Sequence, residues 1–263
     1  MRALRTAVLL LVLSACGSME APHQDQPVDQ SNEALIGERR DALTRARAHT
    51  ELASAYYEQG NLGVALEEAK TAVQADDGYS PAYNLLGLIY LELKQTDQAR
   101  SSFERALRID PHDSDANHNM GRFLCQTGHE LDSIKYFLAA IQNPLYRTPA
   151  KSYAAAAACY ERAGRTEEAY DYFGRALKLD PNYAPAMLPY AQLQMTHGSL
   201  DDARATVMRY NASMPPTAES LWLLLRIERR RGDSQAEQTV ASVLSKRFPD
   251  SKEYRSFRRG EFD

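Results

Sequence analysis

The sequence predicts an all-α protein built as a solenoid of stacked helix pairs. Three observations support this fold class. Apolar residues recur at the i, i+3, i+4 and i+7 spacing of one helix face, and the stretch Ser80 to Asp113 contains two such stripes, one through Tyr90 and one through Phe103. The same arrangement returns along the chain at intervals of about 34 residues. A proline or a polar turn ends most of these units, because proline cannot continue a helix.

Six copies of this unit fit one register. Their bounds are 46–79, 80–113, 114–149, 150–183, 184–217 and 218–249. Neither helix of a unit can bury its apolar stripe alone, so each unit needs neighbours of the same kind. Gly87 and Ala99 are small enough to let the two helices of one unit approach closely. Residues 35–45 are expected to lead into the first helix, and 251–259 to form a short C-terminal cap.

This period and register resemble those of tetratricopeptide repeats (TPRs). The resemblance implies a right-handed superhelix of six TPR helix pairs within residues 35–263. It also implies a concave surface lined mainly by positions 2, 5, 9 and 12 of the first helix in each repeat.

The N-terminus predicts export from the cytoplasm. Arg2 and Arg5 precede an apolar run that is too short to cross a bilayer, which is typical of a secretory signal peptide over residues 1–15. The tetrad LSAC, which ends at Cys16, resembles a bacterial lipobox. The resemblance implies that Cys16 is lipid-modified and that Gly17, where an aspartate would signal inner-membrane retention, directs the protein to the outer membrane. An ordinary signal peptide with an incidental cysteine is the alternative.

Residues 16–34 are predicted to form a flexible tether between this anchor and the folded repeats. The segment is polar, contains two prolines and shows no apolar period. Chains of this composition bury too little apolar surface to fold on their own.

Charge and motif content argue against several classes of function. The formal net charge of −4 disfavours nucleic acid as a partner, since phosphate binding needs a basic face. The sequence contains no GxSxG, Walker or HExxH motif, and its histidines show no paired ligand spacing. His118 and His129 lie in one repeat and are interpreted as solvated side chains. We therefore expect no catalytic residues, no metal site and no cofactor, and the protein is not expected to be an enzyme.

Cys125 and Cys159 would be the two remaining thiols after lipidation. They lie one repeat apart on first helices, which stack side by side in such arrays, and exported proteins meet an oxidising compartment. The alanine run from Ala154 to Ala158 would let these two helices pack closely. A Cys125–Cys159 disulfide is the first hypothesis, and a pair of small buried thiols is the alternative.

The register also predicts a binding patch. The concave positions of the first four repeats are Arg47, Thr50, Ser54 and Tyr57, then Pro81, Asn84, Leu88 and Leu91, then Asp115, His118 and Arg122, then Lys151, Ala154, Ala158 and Glu161. Tyr57, Asn84, Leu88 and Leu91 are predicted to bind an amphipathic helix or an extended peptide, because apolar side chains on an open groove favour a partner. Alternatively, the two leucines pack against adjacent helices.

The lipobox, the tether, the repeats and the terminal sequence EYRSFRRGEF together resemble the PilF/PilW family of type IV pilus biogenesis lipoproteins. The resemblance implies an outer-membrane pilotin that faces the periplasm, binds secretin subunits and promotes their membrane localisation and multimerisation. It implies no small-molecule substrate. The alternative function is that of a periplasmic TPR lipoprotein adaptor for cell-wall hydrolases or outer-membrane assembly.

Overall fold

The computed structural model describes residues 30–262, and every regular element in that range is an α-helix. The thirteen helices of this range form six consecutive pairs and a short terminal helix. They are α1 (Gln30–Glu58), α2 (Leu62–Ala75), α3 (Ser80–Glu92), α4 (Thr96–Ile109), α5 (Ser114–Gln126), α6 (Glu130–Gln142), α7 (Pro149–Arg162), α8 (Thr166–Leu179), α9 (Ala184–Thr196), α10 (Leu200–Ser213), α11 (Ala218–Arg231), α12 (Ser234–Arg247) and α13 (Lys252–Arg259).

The helices stack as a solenoid within the compact unit Ala42–Asp263. From α3 to α12 the two helices of a pair lie side by side, and each second helix also contacts the first helix of the next pair. First helices of neighbouring pairs also contact each other: α3 contacts α5, α5 contacts α7, and α9 contacts α11. No two second helices in the described range make comparable contact. The array therefore curves with its first helices on the inner face.

Small residues facing large ones hold the helices of a pair together. Gly87 lies on the ring of Phe103, and a Cβ atom at this glycine would fall 2.5 Å from the ring Cε1. Gly121 meets the phenylalanine of its own pair in the same way. In the sixth pair the order of sizes is reversed, because Leu225 on the first helix packs with Ala241 on the second. The larger side chain at this contact therefore comes from the second helix in some pairs and from the first helix in the sixth pair.

A residue in the left-handed region joins the two helices of every pair. It is a glycine in five pairs, with φ between 73° and 84°, namely Gly60, Gly128, Gly164, Gly198 and Gly232. The second pair has Lys94 there, with φ 60°. A side chain in this conformation brings Cβ close to the following carbonyl oxygen, so Lys94 stores strain that the glycines avoid.

The first helix begins earlier than the sequence predicted. Residues 30–34, assigned to the tether, belong to α1, and residues 35–45 continue that helix. The tether was inferred from polar composition and from a missing apolar period, but polar residues such as Gln, Ser and Glu can also form helical turns, and no proline interrupts residues 30–34. The predicted signal peptide, Cys16 and the rest of the tether lie outside the described residues.

The C-terminal cap forms where it was expected. Ser251 precedes α13 and accepts a hydrogen bond from the backbone N–H of Tyr254 at 3.1 Å, which satisfies one free donor of the first turn. The helix packs against α11 and α12. None of the described helices has both the length and the apolar character that crossing a bilayer would need.

Candidate functional site

The predicted patch lies on the inner face but is partly used by the fold. Leu88 and Leu91 are half-buried and pack against a cluster that includes Phe123 of the neighbouring first helix. Asn84 Oδ1 accepts a hydrogen bond from Asn119 Nδ2 at 3.0 Å, which links α3 to α5. Each leucine therefore contacts neighbouring helices, as the alternative interpretation expected, and keeps an accessible surface, and the binding of a partner there stays a prediction.

Tyr57 is also half-buried, and it lies near two charged groups. Burial and the carboxylate of Glu92 raise the pKa of Tyr57, whereas the nearby Arg122 guanidinium lowers it. The phenol hydroxyl donates a hydrogen bond to Glu92. Tyr57 thus connects the first repeat to the second through its hydrogen bond to Glu92.

A deeper feature, which we call the inner cavity, lies between α5, α7 and α9. Its volume of about 360 Å³ falls in the range of small ligand pockets. Six of its lining residues are concave positions already mapped from the repeat register, namely His118, Arg122, Lys151, Ala154, Ala158 and Glu161. The register therefore placed these side chains on one surface, but it did not show that the surface encloses a hollow.

The wall of the inner cavity is apolar because of short side chains and prolines. Ala154 and Ala158 line it from α7, whereas Ala156 of the same helix packs with the two cysteines on another side. Pro185 and Pro189 line it from α9. Pro189 lies inside the helix and has no N–H, so the carbonyl of Pro185 lacks its usual donor four residues ahead. The alanine run thus allows close packing on one side of α7 and leaves space on the other.

The charged groups of the inner cavity are separated by sign. Arg122 and Lys151 are half-buried, and neither forms an ion pair with a carboxylate of residues 30–262. Glu161, at the opposite end of α7, forms no ion pair with any described residue either. The Glu161 residue is exposed, and partial desolvation raises the pKa of its carboxyl group. One end of the cavity is therefore cationic and the other is anionic.

His118 forms part of the cationic end and is buried, with 1% of its surface exposed. The interpretation of this histidine as a solvated side chain is wrong, because its ring packs edge-on against Phe137 of α6, with 5.6 Å between the ring centroids. His118 Nδ1 lies 2.8 Å from Ser152 Oγ, which is itself 3.1 Å from the hydroxyl of Tyr146. Desolvation, followed by the positive charges of Lys151 and Arg122, lowers the pKa of His118 to about 3. The ring is therefore neutral at physiological pH.

The second imidazole nitrogen of His118 has no partner. Nε2 is buried and forms no hydrogen bond with the described residues. Whichever nitrogen carries the proton, Nε2 is left as an unsatisfied donor or acceptor, which costs about 1–3 kcal/mol. Within residues 30–262, no three His, Cys, Asp or Glu side chains are grouped so as to hold a metal ion.

A second hollow of about 510 Å³, the terminal cavity, continues the groove toward the C-terminus. It shares Glu161 and Pro189 with the inner cavity and includes Trp222 and Arg226 of α11. The chain end covers part of it, since the ring of Phe262 stacks on Trp222 at 5.5 Å and its carbonyl accepts a hydrogen bond from Arg226 Nε at 2.9 Å. Trp222 and Arg226 occupy concave positions of repeat six, which the sequence analysis did not map. Extending the same register would have found them.

Cys125 and Cys159 are joined beside the inner cavity. Their Cα atoms are 5.8 Å apart, within the range of disulfides, and the link connects α5 to α7. The pair lies in a buried cluster with Phe137 and Ala156. The disulfide therefore holds together two of the three helices that form the cavity.

Models of the tetratricopeptide repeat match most of the described chain. One matches residues 29–81, 50–114 and 84–149, and a second matches residues 152–226. The chain belongs to the tetratricopeptide repeat family. The six helix pairs are thus TPR units, and the inner and terminal cavities lie on the inner face of a TPR array.

Similar proteins connect this TPR array with type IV pili. The type IV pilus assembly protein PilF of Pseudomonas aeruginosa is 22% identical over 210 residues, which cover 80% of this chain and 83% of PilF. The crystal structure of PilW, a widely conserved type IV pilus biogenesis factor, has a TM-score of 0.72 and 29% identity, covering 81% of this chain and 98% of that one. A structure of P. aeruginosa PilF, with a TM-score of 0.76 and 21% identity, covers 85% and 99%. The chain is homologous to these pilus biogenesis TPR proteins.

Proposed function

We propose that this protein is a non-enzymatic pilotin of the type IV pilus. In this role it binds secretin subunits, promotes their localisation to the outer membrane and promotes their multimerisation there. The observation that carries the proposal is the match to PilF and PilW over almost the full length of both solved chains.

The inner face supports a role in binding protein. It combines half-buried leucines with two cavities, and the Arg122, Lys151 and Glu161 side chains there form no ion pair with residues 30–262; such surfaces suit polypeptide partners. The lipobox supports the membrane half of the proposal. Acyl chains on Cys16 would add about 0.8 kcal/mol of membrane affinity for each buried CH₂ group, so the combined chains would anchor the protein to the periplasmic side of the outer membrane.

Deletion of the protein tests the pilotin role. We expect secretin to remain monomeric and twitching motility to be lost, and both to return when the wild-type protein is supplied. The Cys16→Ser variant should fold but leave the membrane fraction, and it should fail to restore assembly. Heat-stable secretin multimers that persist in the deletion strain would contradict the proposal. Envelope defects with intact secretin rings would favour the adaptor function instead.

Substitution of the predicted patch tests where the secretin binds. The double variant Leu88→Asp and Leu91→Asp should weaken secretin binding in a pull-down, because it places charge on an apolar contact surface. Leu145→Asp is the matched control, since Leu145 is 84% exposed on a connecting segment. Circular dichroism should show the same helix content in all variants. Secretin binding that is equal in the patch variant and the control would show that the leucines serve packing alone.

A further inference from the structure

Positive charge is concentrated toward the C-terminal end of this chain. Residues 226–263 contain ten lysines and arginines against seven aspartates and glutamates, a net charge of +3. Residues 1–225 contain twenty-one against twenty-eight, a net charge of −7. A charge asymmetry of this kind within one chain favours an anionic partner, such as a membrane or a nucleic acid, for the basic part.

Four of these cations lie on one exposed part of the structure, which we call the basic cap. Lys246 and Arg247 end α12, and Arg255 and Arg258 lie on α13 after a turn of four residues. All four are exposed, and none forms an ion pair with a carboxylate of residues 30–262. Arg255 donates a hydrogen bond to the carbonyl oxygen of Asp250 at 2.6 Å, which leaves its positive charge uncompensated.

The packing of α13 leaves the cations of the basic cap outside. Tyr254 and Phe257 pack against a buried cluster of α11 and α12 that includes Leu225 and Leu244. The apolar face of α13 is therefore used within the fold and is not available for insertion into a bilayer. Any attraction of the basic cap to a membrane must come from charge, and it must weaken as the salt concentration rises.

Stabilisation of helix ends does not account for the basic cap. Cations in the last turn of a helix oppose its dipole, and Lys246, Arg247 and Arg258 occupy such positions. Arg255, however, lies in the middle of α13. Six helices of the same array also end without any basic residue, namely α2, α3, α5, α6, α9 and α10. A cationic last turn is thus not a general requirement of these helices.

The exposure of the basic cap favours a broad anionic surface as its partner. None of its four side chains lines the inner or the terminal cavity. Long cationic side chains on an open surface can each contact a different headgroup of a bilayer. A nucleic acid is disfavoured, because such interfaces cover a large and mostly basic protein surface, whereas the chain outside residues 226–263 is acidic.

The strength that four charges can supply also favours a membrane. Each lysine or arginine near an anionic bilayer strengthens binding by roughly fivefold, so four amount to several hundredfold. Alone, they correspond to a dissociation constant of about 1 mM, which is too weak for a partner that diffuses freely. A protein anchored by acyl chains on Cys16 would meet the bilayer at an effective concentration of this order. The same contact would then be occupied much of the time.

We propose that the basic cap binds the anionic phospholipid surface of a membrane. It provides a membrane contact near the C-terminal end of the chain, in addition to the anchor predicted at Cys16. The inference goes beyond the pilotin proposal and uses the proposed anchor only to select the membrane among anionic partners. Because the contact is weak by itself, it agrees with the expected release of Cys16→Ser from the membrane fraction.

Vesicle sedimentation tests the proposal without the lipid anchor. It uses residues 17–263, the chain without its predicted signal peptide and Cys16, which contains every described residue. One set of vesicles contains equal parts of phosphatidylglycerol and phosphatidylcholine, and the other contains phosphatidylcholine alone. At about 0.01 M salt, where charges act over about 30 Å, the protein should bind only the anionic vesicles. Raising the salt concentration to about 0.15 M should weaken this binding by about tenfold or more.

A variant without the basic cap provides the decisive comparison. It is measured at about 0.1 M salt, where charges more than about 10 Å away are largely screened. Its affinity for the anionic vesicles should fall by several hundredfold. The variant carries four substitutions, Lys246→Gln, Arg247→Gln, Arg255→Gln and Arg258→Gln.

A matched control removes the same net charge from other helices. Its four residues are exposed on α1, α6, α8 and α10, and none is ion-paired with a described carboxylate. This control should keep most of the wild-type affinity, and circular dichroism should show equal helix content in all three proteins. Its substitutions are Arg45→Gln, Lys135→Gln, Lys178→Gln and Arg209→Gln.

Several outcomes would overturn the inference. They are a wild-type protein that ignores the anionic vesicles at low salt, equal binding to the neutral vesicles, and equal losses in the cap variant and the control. Binding of the wild type to duplex DNA but not to vesicles would assign the basic cap to nucleic acid instead. The test is independent of the secretin. If secretin assembly needs the protein but the vesicles do not bind it, this inference fails alone. If the basic cap binds vesicles while secretin assembles without the protein, the pilotin role fails alone.

Discussion

The burial of His118 predicts a specific acid sensitivity of the fold. In the folded protein the pKa of His118 lies at about 3, whereas an exposed imidazole in the unfolded chain has a pKa of about 6.5. Between these values the unfolded state binds the additional proton. The stabilisation by a neutral His118 is therefore complete above about pH 6.5 and is lost as the pH falls toward 3.

The size of the effect follows from the two pKa values. Proton linkage makes this one group destabilise the fold by about 2 kcal/mol at pH 5, relative to a pH near 7.5 where its contribution is negligible. The charged form is disfavoured because His118 is desolvated and lies near Lys151 on α7 and Arg122 on α5, while Ser152 can bond only one of its nitrogens. No carboxylate of residues 30–262 forms an ion pair with the His118 ring to offset these charges, since the ion-paired histidines of that range are His49, His129 and His197.

The His118→Gln variant isolates this contribution, because glutamine does not titrate and can still hydrogen-bond Ser152. Urea unfolding is measured at both pH values. The free energy of unfolding should fall by about 2 kcal/mol more in the wild type than in the variant. Because each protein is compared with itself at the two pH values, any effect of the substitution on stability that does not depend on pH cancels. The exposed His112, changed to Gln, controls for the removal of one imidazole.

Equal pH dependence of the wild type and His118→Gln would refute this reasoning, as would a larger loss in the variant. Nuclear magnetic resonance supplies a direct check. The ring resonances of His118 should not shift between neutral pH and about pH 5. A midpoint near the ordinary value for histidine would show that the ring is solvated, and the account of the cationic end of the cavity would then fail as well.

Three further predictions concern the packing of the repeats. Lys94→Gly should raise the free energy of unfolding by about 1 kcal/mol, because it relieves a left-handed backbone, and an unchanged or lower urea midpoint would contradict this. Gly87→Ala should lower it by about 1–3 kcal/mol, because the new methyl group collides with the ring of Phe103, and wild-type stability would show that the pair can open freely. Alkylation followed by mass spectrometry should find Cys125 and Cys159 unlabelled until a reductant is added, and reduction should cost about 3–4 kcal/mol. Labelling of both thiols in the oxidised protein would rule out the bridge.

Much of the fold could be predicted because the interactions that define a repeat are local. The unit 80–113 contains α3 and α4 with a turn of three residues, and its stripes face each other through Gly87 and Phe103. Such contacts recur at a fixed spacing, so aligning the repeats identifies the equivalent positions in each copy. The start of α1 was missed because residues 30–34 are mostly polar and show no apolar period that the repeat register could detect.

The cavities were harder to predict because they depend on the distance between repeats. Neighbouring first helices α5 and α7 contact each other, as do α9 and α11, but α7 and α9 do not do so to the same extent in the described structure. The space between α7 and α9 is lined by alanines of α7 and prolines of α9. These residues lie about thirty positions apart in the sequence, which is the length of a whole repeat. Sequence periodicity shows which face a residue occupies but not how far away the facing wall lies. The burial of His118 also depends on neighbouring helices, since its ring packs against Phe137 of α6 and its Nδ1 lies against Ser152 of α7.

The link between Cys125 and Cys159 has a consequence for how the array comes apart. Each repeat in a linear array is stabilised by its neighbours, so opening is easiest at the ends and can progress inward one unit at a time. Repeats three and four cannot separate in this way while α5 is bonded to α7. Fraying from either end should stop there, and amide hydrogens of these two repeats should exchange last. The oxidised protein would then retain a folded centre under conditions that melt its ends.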